Sequence, residues 1–418
     1  MPAQVKKSAA WTLIITGVAL FMTALDNLIV GVALPTIRAD LGGSIEALEW
    51  TVNAYTLTFA VLLITGAALG IWGGISGLGV ALGPLVGGAV IEGISWHWIF
   101  WVNVPVGLVL IPLAYRYLEE STGPDKALDL PGLGLVGAGL FGLTFGIIRG
   151  EAIGWPSLPI VASIGLGLVF LADFVAWELI AKEPMLPMRF FKSRAFSATN
   201  GLSFSMFFGI FGAIFLLSQF FQTAQGYGPL KAGLMTLPWT VMPMFVAPVA
   251  GALSDRIGTR PLMFTGLSLQ AAGLGWIALI SSPDVPFSQL LVPFMMAGAG
   301  MALVFPTAAA AVMSSVGERE TGKASGSTNA IREIGGVMGV AVLSSVFAAN
   351  GGFNSPQAFN DGMVAALPIA VVVLVIGAGL ALLVPGKPKA EPAGKLEDVP
   401  EAAAKSARSE LDPAPQAG

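Results

Sequence analysis

Trp50 to Ile91 reads WTVNAYTLTFAVLLITGAALGIWGGISGLGVALGPLVGGAVI, forty-two residues without one charged side chain. A membrane-spanning helix takes ~20 apolar residues at 1.5 Å rise each. The stretch therefore holds two spans, 48–70 and 71–91, with almost nothing between them. Near its end, Gly79-Val80-Ala81-Leu82-Gly83-Pro84-Leu85-Val86-Gly87-Gly88 sets Gly79, Gly83 and Gly87 four apart. On a helix these share one face and admit a second backbone closely. Pro84 removes a backbone donor and bends the helix there.

Composition carries the same reading to the whole chain. Of 418 residues, 55% are hydrophobic and 11% charged, with a mean hydropathy of +0.79. A soluble domain carries about 25% charged residues, so this chain has too few to cover a water-facing surface. The fold class is an all-α polytopic membrane protein. With no cysteine, disulfides and thiolate metal sites are excluded, and the single histidine, His97, argues against a His-based metal centre. Lys6 and Lys7 precede an apolar run that continues past Asp26 to Pro35 without a small-residue cleavage site. That run reads as a retained first span rather than a removed signal.

Twelve spans are expected, at 11–35, 48–70, 71–91, 98–117, 131–148, 158–180, 196–221, 231–253, 262–281, 289–312, 325–349 and 363–384. With Lys6 and Lys7 inside, the inner segments hold twelve Lys and Arg, against Arg38, Arg149 and Lys231 outside. This bias puts both termini in the cytoplasm. Positive charge concentrates in Lys182 to Arg194, a link near mid-chain, and in Gly251-Ala252-Leu253-Ser254-Asp255-Arg256-Ile257-Gly258-Thr259-Arg260-Pro261, where one span ends and the next begins. His97, between Trp96 and Trp98, fits an outer aromatic belt, and Asp173 and Glu178 read as interfacial.

These segments resemble the major facilitator superfamily, and within it the fourteen-helix drug/proton antiporters. Gly251–Arg260 is similar to the superfamily's cytoplasmic loop, Gly-x-Leu-x-Asp-Arg-x-Gly-x-Arg, and Gly79–Gly88 to its antiporter motif, Gly-x-x-x-Gly-Pro-x-x-Gly-Gly. Leu25 to Pro35 resembles that subfamily's first-helix signature, Leu-Asp-x-Thr-Ile-Val-Asn-Val-Ala-Leu-Pro, with Leu28 in place of Thr and Gly31 in place of Asn. The resemblance spans residues 11–384 and departs from the family in one place. In the family, two helices and a first copy of the Asp-Arg-x-Gly loop separate the second helix from the antiporter-motif helix. Here Ala67-Ala68-Leu69-Gly70 passes straight to Ile71. The family's helices three and four are missing, ~60–80 residues at ~20 per span plus loops. The loss of an even number of spans keeps the downstream orientation.

The resemblance implies residues for transport, and each has a plainer structural reading. Asp26 lies mid-span, where a charge costs roughly 2.5–3.5 kcal/mol on insertion scales. It is either the carboxyl whose protonation alternates with substrate binding or a protonated Asp bonded to a neighbouring helix. Arg332 and Glu333 are adjacent and so point about 100° apart on a helix. Either they reorganise during alternating access, or Arg332 snorkels to the interface while Glu333 pairs with a neighbour. Asp255 and Arg256, with Gly251, Gly258 and Arg260, form a gating latch or simply a turn that anchors the loop. Gly79, Gly83, Pro84, Gly87 and Gly88 pack helices without chemistry of their own. Asn53, Tyr55, Gln222 and Asn329 could line a cavity or satisfy neighbouring helices, as could Asn200, Ser203 and Gln219.

The expected organisation is an incomplete N-terminal bundle at 1–117, two additional helices and a linker at 118–195, a C-terminal bundle at 196–384 and a disordered tail at 385–418. The implied function is proton-coupled export of lipophilic drugs across the cytoplasmic membrane, hence antibiotic resistance. The expected partners are a small-molecule substrate, protons and membrane lipid. No cofactor, metal, nucleic acid or enzymatic activity is expected, and the chain is expected to be monomeric. No Gly-x-x-x-x-Gly-Lys-[Ser/Thr] loop is present, so ATP-driven pumping is not supported. The alternatives are an inactive remnant lacking two helices, and, more remotely, a polytopic membrane enzyme.

Overall fold

The structure, a computed structural model, describes residues 15, 18, 22, 29–40, 42, 73–117, 129–317 and 320–386. Residues 29–40 are helical, and this segment is α1. After it come α2 (Gly73–Gly93), α3 (Trp98–Tyr117), α4 (Leu130–Ile153), α5 (Leu158–Ile180) and α6 (Arg194–Ala224). The remainder comprises α7 (Pro229–Ile257), α8 (Thr259–Ile280), α9 (Phe287–Ser314), α10 (Thr321–Asn350) and α11 (Pro356–Ala381). Among the described residues, the nine helices α3 to α11 are long and apolar enough to cross a membrane, and they match nine of the expected spans. The span expected at 48–70 lies outside the described residues.

The described residues up to Pro385 form one compact unit. Its centre is α6, which packs against α10, α11 and α9. Its side chains from Phe196 to Phe221 supply much of the core, together with Phe294, Phe347 and Phe359. In lipid, apolar burial alone does not hold helices together, so close backbone approach at small residues matters more. The α6–α10 contact shows this, because a Cβ added at Gly212 would stand 2.8 Å from the Gly339 carbonyl oxygen. The α4–α5 hairpin docks against α10 through α4, and α2 docks against α7. By contrast, Asn103–Tyr117 of α3 contains no buried residue.

Polar side chains tie the elements at their ends. Asp129 caps α4 by accepting from Gly132 N at 2.9 Å, and Ser355 caps α11 by accepting from Ala358 N at 3.1 Å. Between α5 and α6 the chain makes a short 3-10 turn, Met188–Lys192, in which Arg189 pairs with Glu320 at the start of α10. Trp96 donates its indole N–H to Asp40 at 2.7 Å and stacks on His97, which joins the aromatic belt segment to the end of α1.

Candidate functional site

The glycine-proline face of α2 sits between two other helices. Gly83, Pro84, Gly87 and Gly88 are all buried. A Cβ at Gly88 would stand 2.6 Å from the Pro229 carbonyl oxygen and 2.7 Å from Leu230 Cα, so this glycine sets the approach of α7. One at Gly87 would collide with the Ile29 side chain of α1. Reciprocally, a Cβ at Gly233 on α7 would meet the Pro84 carbonyl. Two consecutive glycines therefore admit two different neighbours. Glu92 completes the seam by accepting from Leu230 N at 3.2 Å, near the N-terminus of α7, where backbone donors lack helical partners. Gly79 lies within α2.

The loop between α7 and α8 is one residue long. Gly258 has φ +86° and ψ 167°, a conformation confined in practice to glycine. Its N–H donates to the Ser254 carbonyl at 2.9 Å. Asp255, Arg256 and Arg260 are exposed around it, and Gly251 is half-buried on the preceding turn.

Polar chemistry inside the bundle centres on the α6–α10 contact. These helices run in parallel register, with Gly335 against the Phe204 backbone and Gly339 against that of Phe208. Thr199, Asn200 and Ser203 of α6 therefore lie at the level of Thr328 to Arg332 of α10. Arg332 is 4% exposed and Glu333 7% exposed, so neither side chain snorkels. The Arg332 guanidinium donates to Asn329 Oδ1 at 3.3 Å and lies over Phe305, 4.6 Å from its ring centroid, with Phe207 at 5.9 Å. Such stacking suits a planar, weakly hydrated cation. Arg332 Nε and Nη2, Glu333 Oε2, Asn200 Oδ1, Ser203 Oγ and Gln270 Oε1 are buried without a hydrogen-bond partner. Unsatisfied groups in that number mark a place that could take a polar ligand or rearrange. Sequence reading missed Gln270, whose Nε2 donates to the Met206 carbonyl at 3.4 Å.

Gln222 is drawn elsewhere. Its Nε2 donates to the Val32 carbonyl at 2.9 Å, and Ser218 donates to Gly31 at 3.2 Å, which fastens α1 to α6. Asp26, Asn53 and Tyr55 lie outside the described residues. A groove of about 350 Å³ between α4 and α5 is lined by Phe141, Phe145, Phe170 and small residues, and its Ser163 hydroxyl is engaged by Pro159. It offers an apolar surface only.

Residues 64–340 and 199–411 match the family described as Major Facilitator Superfamily. The chain is 30% identical over 408 aligned residues to the Multidrug resistance protein Stp of Mycobacterium tuberculosis, covering 81% of this chain and 76% of that protein. It is 29% identical over 424 to the Multidrug transporter protein MdtP of Bacillus subtilis, covering 83% and 77%. To the Tetracenomycin C resistance and export protein of Streptomyces glaucescens it is 26% identical over 431, covering 86% and 80%.

Proposed function

The chain belongs to the Major Facilitator Superfamily and is not an enzyme, and from this premise we propose that it exports lipophilic drugs from the cytoplasm in exchange for protons. The observation that carries this reading is the alignment with drug-resistance transporters over about four fifths of the chain. Two features of the architecture support it. The glycine-proline face of α2 packs closely against α7, across the boundary between the expected N- and C-terminal bundles. The buried Arg332–Glu333 pair with its unsatisfied neighbours supplies a polar centre inside an otherwise apolar bundle. Coupling is assigned to Asp26, and the short loop at Asp255–Arg260 to gating, as two bundles rock about a midplane site. The test is accumulation of a fluorescent lipophilic cation in a drug-sensitive bacterium that expresses the chain. Lower accumulation that is abolished by a protonophore is expected, and accumulation equal to the empty-vector control would refute export.

A second reading rests on the same alignments. For the first relative the aligned length is 408 residues, while 81% of 418 residues is about 339, leaving about 70 positions without a counterpart in this chain. The same comparison with MdtP leaves about 77. Two spans and their loops amount to ~60–80 residues. We propose that the chain lacks two helices at Gly70–Ile71 and that this weakens or abolishes transport. Asn103–Tyr117, without a single buried residue, is consistent with a helix whose neighbours are gone.

A further inference from the structure

At the end of the bundle that carries the linker, Asp129 and Glu178 meet with their hydrogen-bond donors already distributed. Asp129 Oδ1 accepts from Gly132 N at 2.9 Å and from the Trp177 indole N–H at 2.8 Å. Glu178, read from sequence as interfacial, is 3% exposed, and its Oε2 accepts from Leu186 N at 3.0 Å. The other oxygens, Asp129 Oδ2 and Glu178 Oε1, are buried without a hydrogen-bond partner, and the two carboxyl groups lie within hydrogen-bonding reach of each other. Among the described residues, charged groups on the surrounding elements are Asp173 of α5, Lys182, Glu183 and Arg189 of the linker, and Glu320 and Lys323 of α10. Arg189 pairs with Glu320, Lys323 donates to the Pro184 carbonyl at 3.1 Å, and none of the six bonds either orphaned oxygen.

Two acceptors facing each other in a buried site repel when both are ionised, and one proton between them turns repulsion into a charge-assisted O–H···O bond. We propose that Asp129 and Glu178 share one proton and that this proton-binding site clamps the linker to the α4–α5 hairpin. Beyond the clamp, Met185, Leu186 and Met188 pack with Val136, Leu140 and Phe174 on one side and Ile334 and Val337 of α10 on the other. The linker is thus a strap from the hairpin to the helix that bears Arg332 and Glu333. Loss of the proton to water leaves two carboxylates in contact and loosens the hold on Leu186. The inference stands on this pair alone and does not depend on the coupling assigned to Asp26.

The chain has no cysteine, so Lys192→Cys, exposed on the linker, takes a single nitroxide label in the full-length protein held in lipid nanodiscs. Across roughly pH 5 to 9, the label should pass from immobile to mobile as pH rises. Glu178→Gln keeps an acceptor for Leu186 and gains a donor for Asp129, so its label should remain immobile throughout, with complete loss of the pH response. Infrared difference spectra give an independent reading: a carboxylic-acid carbonyl band should disappear in both Glu178→Gln and Asp129→Asn. A label in Glu178→Gln that follows the parent's pH response, or a band that survives both substitutions, overturns the proposal.

Discussion

Glu333 and Arg332 are both buried because α10 is enclosed on several sides, by α6, α11, α9 and α4. From the sequence, the two neighbours point about 100° apart on the helix. The offset is real, but a helix packed all round buries both directions, and no single-helix pattern shows what surrounds it. The two residues are buried, oppositely charged chain neighbours, so removing one leaves the other without that counter-charge. Glu333→Ala should lower stability by about 3–5 kcal/mol, and replacing both residues with apolar ones of similar volume should recover most of that. Thermal unfolding in detergent, arranged as a double-mutant cycle, measures it, and additive losses would show that the residues do not interact. Asp26 gives the second prediction at this scale. Asp26→Asn removes the titratable group and keeps the shape, so protonophore-sensitive export should vanish while protein abundance holds. Unchanged export would take Asp26 out of the mechanism.

Helices are where the sequence is most legible, and their contacts reveal what it conceals. Hydropathy located the nine described spans, because residues facing lipid must be apolar whatever their neighbours. It underestimated the ends. α11 begins at Pro356 rather than 363, since Ser355 caps a polar first turn that a hydropathy window discards. Equally, the spacing of Gly79, Gly83 and Gly87 announced a contact face without saying that Gly87 would meet α1 and Gly88 would meet α7. Gly88→Ala should therefore force α2 and α7 apart, at a cost of about 1–3 kcal/mol, and reduce export. Gly93→Ala, whose Cβ would meet nothing within 4 Å, should be neutral. Comparable melting temperatures for the two would remove the contact from the argument. At the α7–α8 turn, Gly258→Ala should cost about 1–3 kcal/mol through backbone strain, whereas Gly251→Ala meets open space and should not.

At the scale of the molecule, the proposal turns on the loss of two helices at Gly70–Ile71, legible only when the chain is set beside the resembling family. Composition could not reveal it, because two fused spans are as apolar as two separated ones. Among the described residues, the helices from α6 onward form a continuous core, while Asn103–Tyr117 of α3 contains no buried residue. On that proposal, the loss of an even number of spans preserves the orientation of every later helix, so insertion can succeed with an incomplete N-terminal bundle. Inserting after Gly70 the stretch of about 77 positions that the Bacillus subtilis relative has and this chain lacks should raise the melting temperature and strengthen protonophore-sensitive export. The unaltered chain should show weaker protonophore-sensitive export in the same vesicles. Equal export from both would mean that the shortened bundle is sufficient for alternating access. A graft that raises stability without export would assign the missing helices to packing and leave transport to be sought in Asp26 and its surroundings.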